Sequence, residues 1–164
     1  MEFESLAVGA TLHEVDKGRI SPAHIMRWSA AVENWHRIHY DVPFATGHDG
    51  LPNVLINGSW KQHVLVQLVK DALGPGAWLW KLKFRYKKMD IAGDSLRAQA
   101  EVVAAQQIAG YGLVTLRITL LNQNNEVSTE GHAIGVMPLR GGPSVPYPFK
   151  PDPAFASVTF PQDS

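Results

Sequence analysis

Between Ser59 and Leu73 the apolar positions almost close around a helix. Trp60, Val64, Leu65, Val66, Leu68, Val69, Ala72 and Leu73 leave only a narrow polar stripe of His63, Gln67, Lys70 and Asp71. A helix apolar over most of its circumference must be wrapped by other structure. It stops at Gly74-Pro75-Gly76, and there the period changes. In AWLWKLKFRYKK, Trp78, Trp80, Leu82, Phe84 and Tyr86 alternate with Leu79, Lys81, Lys83 and Arg85. That alternation predicts a long strand with one apolar and one largely basic face, the basic side being solvated. Gly93-Asp94 turns the chain into SLRAQAEVVAA; Gly110 and Gly112 precede LVTLRITLL; a turn at Asn122–Asn125 leads to EVSTEGHAIGVM. No helical segment separates these strands, so they read as an antiparallel meander.

Upstream, residues 11–20 predict a first short strand. Ser21 then caps a helix with Pro22 at its first position, where a missing N–H costs nothing. Ile25, Trp28, Ser29 and Val32 give it one mostly apolar face as far as about Glu33. Pro43, Gly47, Asp49, Gly50 and Pro52 predict an irregular segment before the wrapped helix. The whole describes an α+β chain: a single hot-dog domain over residues 1–137, with a long antiparallel sheet around a central helix. Seven of the eleven prolines fall in residues 138–164, which predicts an extended tail outside the sheet, either draped over a partner subunit or disordered.

Composition narrows the function classes. The chain has 164 residues, a formal net charge of zero and no cysteine. Neutral balance gives no electrostatic argument for nucleic acid. Lack of cysteine removes disulfide scaffolds, zinc ribbons and thiol nucleophiles, and suits a reducing compartment. With no signal-peptide pattern in MEFESLAVGA and no run of about 18 apolar residues, the expectation is a cytoplasmic protein with no membrane partner.

The chemistry concentrates in ENWHRIHYD, residues 33–41, where the first long helix ends. His36 and His39 with Asp41 admit a metal site, an acid–base centre or a polar loop. Two histidines three apart need a third ligand, and no H-E-x-x-H or cysteine pair supplies one, so no metal is expected. A second signal is NGSW. Gly58 stands where the wrapped helix begins, and free N–H groups there favour developing negative charge. The same glycine could instead simply permit the turn.

Asn34-Trp35-His36-Arg37-Ile38-His39-Tyr40-Asp41, followed by a G-x-P loop, an Asn57-Gly58 start to an apolar helix and a Gly93-Asp94 turn, resembles the MaoC-like hydratases and dehydratases. It resembles most the branch holding type 2 3-hydroxyacyl-thioester dehydratases and mesaconyl-CoA hydratases. The resemblance implies an enoyl-CoA hydratase or 3-hydroxyacyl-CoA dehydratase, a hydro-lyase acting on an acyl-CoA or acyl-carrier thioester without a further cofactor. It implies His39 as acid–base residue and Gly58 as oxyanion donor. It also puts Asn34 where the broader family has aspartate. Asn34 can hold a water but cannot take its proton, so the base role falls on His39, alone or shared with His36 or Asp41. His36, Arg37 and Asn57 are the candidates for contacting substrate. For His36 the alternative is shaping the loop; for Arg37 it is pairing with Asp41. Asp41 is expected to cap the turn before Pro43, and His63 to face solvent or a partner.

Two other readings stand beside this one. A hot-dog thioesterase needs a carboxylate on the central helix, where only Asp71, at its far end, is present. A non-catalytic subunit of a heteromeric dehydratase fits the missing Asp at position 34. An open sheet edge invites pairing, so a homodimer, or a heteromer with a related hot-dog subunit, is expected.

Overall fold

A computed structural model describes residues 1–161. Its five strands are β1 (Thr11–Arg19), β2 (Trp78–Tyr86), β3 (Ser95–Ile108), β4 (Tyr111–Asn122) and β5 (Val127–Pro138). Three helices, α1 (Pro22–Ala31), α2 (Val42–Gly47) and α3 (Gly58–Leu73), lie between β1 and β2. The strands form one antiparallel sheet in the order β1-β3-β4-β5-β2. Only β3, β4 and β5 form a meander. The chain enters at one edge with β1, crosses with α3, and adds β2 at the opposite edge beside β5. Residues 87–94 then return it to β3. No helix is long and apolar enough to cross a membrane among the described residues.

Small and branched residues explain why α3 can sit inside the sheet. Leu96, Ala98, Ala100 and Val102 alternate inward along β3, with Leu116, Ile118 and Leu120 on β4 and Ala133 on β5. Val64, Leu65, Leu68 and Val69 of α3 are fully enclosed against them. Each such side chain contributes roughly 1.5–3 kcal/mol on burial. Close approach is helped at Gly135, where a Cβ would lie 2.4 Å from Leu73 Cδ1.

Three further expectations are corrected. The segment after Asp41 is irregular only beyond Gly47: Asp41 Oδ1 accepts the Phe44 N–H at 3.0 Å and caps the short helix α2, with Pro43 in its first turn. Trp78 and Trp80 do not share a face with Leu82 and Phe84. The β2–β5 register shifts between Leu79 and Lys81, and a bulge there sends both tryptophans to the outer side. Lys61, which the apolar pattern of α3 left unassigned, is buried. Finally, the tail adds no strand, but it is packed. Phe149, Phe155 and Val158 cover Leu113, Ile134 and Val136 on the outer face, and Trp80 meets the Phe149 and Phe155 rings edge-on. The apolar outer ends of β2, β4 and β5 need that cover, and the tail's aromatic residues supply it. Lys81 closes the contact through a 2.7 Å hydrogen bond to the Val158 carbonyl.

Candidate active site

The helix α1 ends abruptly because Glu33 takes a left-handed φ of 53°, which reverses the chain. The Asn34 N–H donates back to the Ser29 carbonyl at 2.9 Å. A run of side-chain caps then winds the motif. Asn34 Oδ1 accepts the His36 N–H at 3.3 Å, and His36 Nδ1 accepts the Ile38 N–H at 3.3 Å, opening a 3-10 turn over Arg37–His39. Arg37 stays outside, forking onto Asp41 Oδ2 at 2.9 and 2.7 Å and lying over the Phe44 ring. The Phe44 N–H, and then Arg37, hold the Asp41 carboxyl below its ordinary range. Thus Asp41 caps as expected, and Arg37 takes the pairing alternative. His36 shapes the loop, with its ring edge-on to His39 at 6.2 Å.

His39 is the one residue of the turn carried inward, 7% exposed. Its Nδ1 lies 2.8 Å from the Leu55 carbonyl. A carbonyl can only accept, so Nδ1 carries the proton, and in the neutral ring Nε2 keeps its lone pair. Burial, the largest cause, pulls the His39 pKa below 6.5; the neighbouring His36 acts in the same direction, while the Leu55 bond opposes both. The ring is therefore a neutral base at physiological pH. A depressed folded pKa means that protonation penalises this state as pH falls. The acid limb of kcat/KM is accordingly expected below the ordinary histidine value of 6.5, and a pH–rate profile checks this.

Leu55 belongs to a short ladder that joins this turn to α3. Its N–H donates to Ile38 O at 2.9 Å, and on its other side the Ile56 N–H donates to Asp90 O and the Ala92 N–H to Val54 O, both at 2.9 Å. Three residues after Leu55 the helix begins at Gly58. The Trp60 and Lys61 N–H groups both turn to the Asn57 carbonyl. Those of Gly58 and Ser59 have no acceptor among the described residues, which leaves two helix-end donors for an anionic oxygen. The Tyr86 ring stands over Gly58: a Cβ there would lie 2.9 Å from its hydroxyl oxygen. Burial raises the Tyr86 pKa, so the phenol remains protonated.

Asn57 itself is buried and spent on Ser29: its Nδ2 donates to Ser29 Oγ at 3.0 Å, and the hydroxyl faces Asn57 Oδ1 at 3.3 Å. Ser29 thus ties both Asn34 and Asn57 to α1. Its place at helical spacing among Ile25, Trp28 and Val32 hides this role in the sequence. Lys61 was hidden the same way. Its ammonium forms an ion pair with Asp90 and donates to Lys88 O at 2.9 Å; Ser128 donates to the same Asp90 oxygen. His63 is exposed and meets the Trp28 ring at 5.0 Å. Trp28 Nε1 donates to Ser59 Oγ at 2.8 Å.

With the geometry in place, the comparisons decide the family. The family model for hydroxyacyl-thioester dehydratase type 2 matches residues 7–94, more than half of the chain. This chain belongs to that family. No curated protein matches by sequence. Among solved structures, the (R)-hydratase from A. caviae involved in PHA biosynthesis is 22% identical over 82% of this chain and 99% of its own, with a TM-score of 0.72. The MaoC-like dehydratase from Rhodospirillum rubrum is 21% identical over 85% and 98%, TM-score 0.74. The ChsH1–ChsH2 complex from Mycobacterium tuberculosis matches at 21% over 80% and 98%, TM-score 0.69. At these identities the structures establish the MaoC-like hot-dog fold. The site of this type 2 dehydratase family member rests on its own residues.

Proposed function

We propose that the chain adds water to an enoyl thioester, or removes it from a 3-hydroxyacyl thioester, with His39 as its acid–base residue. The observation that carries this reading is the buried His39, whose bond to Leu55 leaves Nε2 as an unprotonated base. In the hydration direction, Nε2 takes a proton from water as the oxygen bonds to C3. The C2–C3 π electrons move toward the thioester, giving an enolate whose oxygen the Gly58 and Ser59 N–H groups stabilise. The imidazolium then returns its proton to C2, so water is consumed and the base regenerated. Asn34 stands at the turn that presents His39, and its amide NH2 is free to hold the water because its Oδ1 is the atom that caps His36.

Placing a methyl at Gly58 tests the oxyanion assignment. Gly58→Ala sets a Cβ 2.9 Å from Tyr86 Cζ and Oη, so the half-exposed ring must move out of the site. Turnover is expected to fall about tenfold or more, with the unfolding midpoint little changed.

A second reading is favoured by Asn34. Without an aspartate there, the chain would serve as the silent partner of an active hot-dog subunit; the ChsH1–ChsH2 and HadBC neighbours from Mycobacterium tuberculosis are complexes. Thioester hydrolysis is disfavoured because Asp71 is exposed and bonded to Gln67. The open edge of β2 is the surface we assign to pairing with a second copy or with such a subunit. The purified chain, given a panel of enoyl-CoA thioesters, should consume the enoyl absorbance alone. Activity that appears only on adding a related subunit would establish the silent role instead.

A further inference from the structure

The turn that carries His39 is built from two successive side-chain caps of the same form, each reaching two residues along the chain. Asn34 Oδ1 accepts the His36 N–H at 3.3 Å, and His36 Nδ1 accepts the Ile38 N–H at 3.3 Å. An asparagine or aspartate oxygen usually makes such a turn. In the second cap an imidazole nitrogen takes its place, and that changes the chemistry. The Asn34 amide does not titrate in water, whereas Nδ1 accepts only while it lacks a proton. His36 is exposed to solvent protons, while His39, one residue beyond the N–H that His36 holds, is buried. The two rings lie 6.2 Å apart.

We propose that His36 is a pH-sensitive positioning residue: a proton on Nδ1 releases the Ile38 N–H, loosens the Arg37–His39 turn and sets a positive charge beside His39. The consequence for turnover rests on His39 being the base; the switch in the turn does not. An imidazolium carries N–H groups on both nitrogens, so Nδ1–H and the Ile38 N–H would face each other as two donors. One must turn away. A shift at Ile38 is passed to the base, because Ile38 O accepts the Leu55 N–H at 2.9 Å and Leu55 O in turn holds His39 Nδ1 at 2.8 Å. A displacement of about 1 Å at a reacting group can cost roughly 100-fold in rate. The surroundings offer the imidazolium nothing to hold it in place. Arg37 is paired with Asp41, and the Phe44 ring stands between His36 and His48, which meets Asp49 at 2.8 Å. Glu33 lies at the end of α1, and residues 51–57, which include Leu55, contain no titratable side chain. Among the described residues no carboxylate is bonded to the His36 ring.

The test pairs His36→Asn with His36→Ala in the full chain, over the pH range in which circular dichroism shows it folded. Asparagine sets an acceptor oxygen at the same bond distance from the backbone as Nδ1 and takes no proton, so it keeps the cap and deletes the switch. The first readout needs no turnover. In ¹H–¹⁵N spectra the Ile38 amide resonance of the native chain is expected to follow the titration of the His36 ring, and to lose that component in His36→Asn. The second readout is kcat/KM against pH. The native acid limb should fall with a slope of about two protons and the His36→Asn limb with a slope of about one. His13→Asn, on β1, should keep the native slope. His36→Ala has no acceptor at any pH and should lose about three- to tenfold in kcat near neutrality, most of which His36→Asn recovers. An Ile38 resonance indifferent to His36, or one slope shared by the native chain and His36→Asn, overturns the switch. Native turnover in His36→Ala overturns the positioning role. Coupling at Ile38 without turnover by the native chain counts against the reaction alone, and turnover without that coupling counts against the switch alone.

Discussion

Lys61→Ala is expected to destabilise the fold by about 3–5 kcal/mol, the cost typical of removing one partner from a buried ion pair. The Lys61 and Asp90 side chains are 4% and 1% exposed. Among the described residues the lysine is the only cation on Asp90, and Asp90 Oδ1 has no hydrogen-bond partner. Truncation therefore leaves a buried carboxylate supported by the Ser128 hydroxyl alone. The double change Lys61→Met with Asp90→Leu should recover most of the loss, because an apolar pair of similar volume removes the desolvation penalty with the charges. Urea midpoints of the three proteins decide the matter; a Lys61→Ala midpoint near that of the native chain would show that the pair contributes little. The pair also reaches the site. The Asp90 carbonyl accepts the Ile56 N–H in the ladder that presents Leu55 to His39, so Lys61→Ala should lower turnover even at temperatures where the protein stays folded.

His39→Asn is expected to reduce kcat by about 10²- to 10⁴-fold, the usual worth of a general base. Asparagine is chosen because its Nδ2 sits at the same bond distance from the backbone as the histidine Nδ1. It can keep the 2.8 Å bond to Leu55 O while deleting Nε2. The unfolding midpoint should move far less than for Lys61→Ala, which separates loss of chemistry from loss of fold. Turnover that survives this change would remove His39 from the reaction.

The architecture was legible because two periods carry it. The nearly apolar circumference of α3 and the strict alternation in β3 each have one structural solution, a helix wrapped by a half-buried sheet. The pairing of β2 with β5 was not legible, since alternation specifies which face is buried and not which neighbour is bonded. The bulge at Trp80 reversed two tryptophans for the same reason: a one-residue register change sends side chains to the other face. The tail was read through its prolines, which do exclude a strand, but Phe149, Phe155 and Val158 carried the packing signal. At the site, the chemical letters of ENWHRIHYD were readable. Asp41 as a cap was read from them; that His39 is the ring carried inward was not. The supports were harder to see, because Ser29, Asn57 and Lys61 act through partners 27 or more residues away. A buried lysine between apolar rows does signal a buried carboxylate somewhere, and KKMDIAGD offered Asp90 as one.

The central claim is that this chain adds water at C3 with His39 as base. Its most direct test is incubation of the native protein with enoyl-CoA thioesters in H₂¹⁸O, beside His39→Asn, with mass analysis of the products. The account predicts ¹⁸O in a C3 hydroxyl of an intact thioester, formed by the native protein and lost with His39. Label in a free carboxylate, or equal C3 labelling by both proteins, would contradict it.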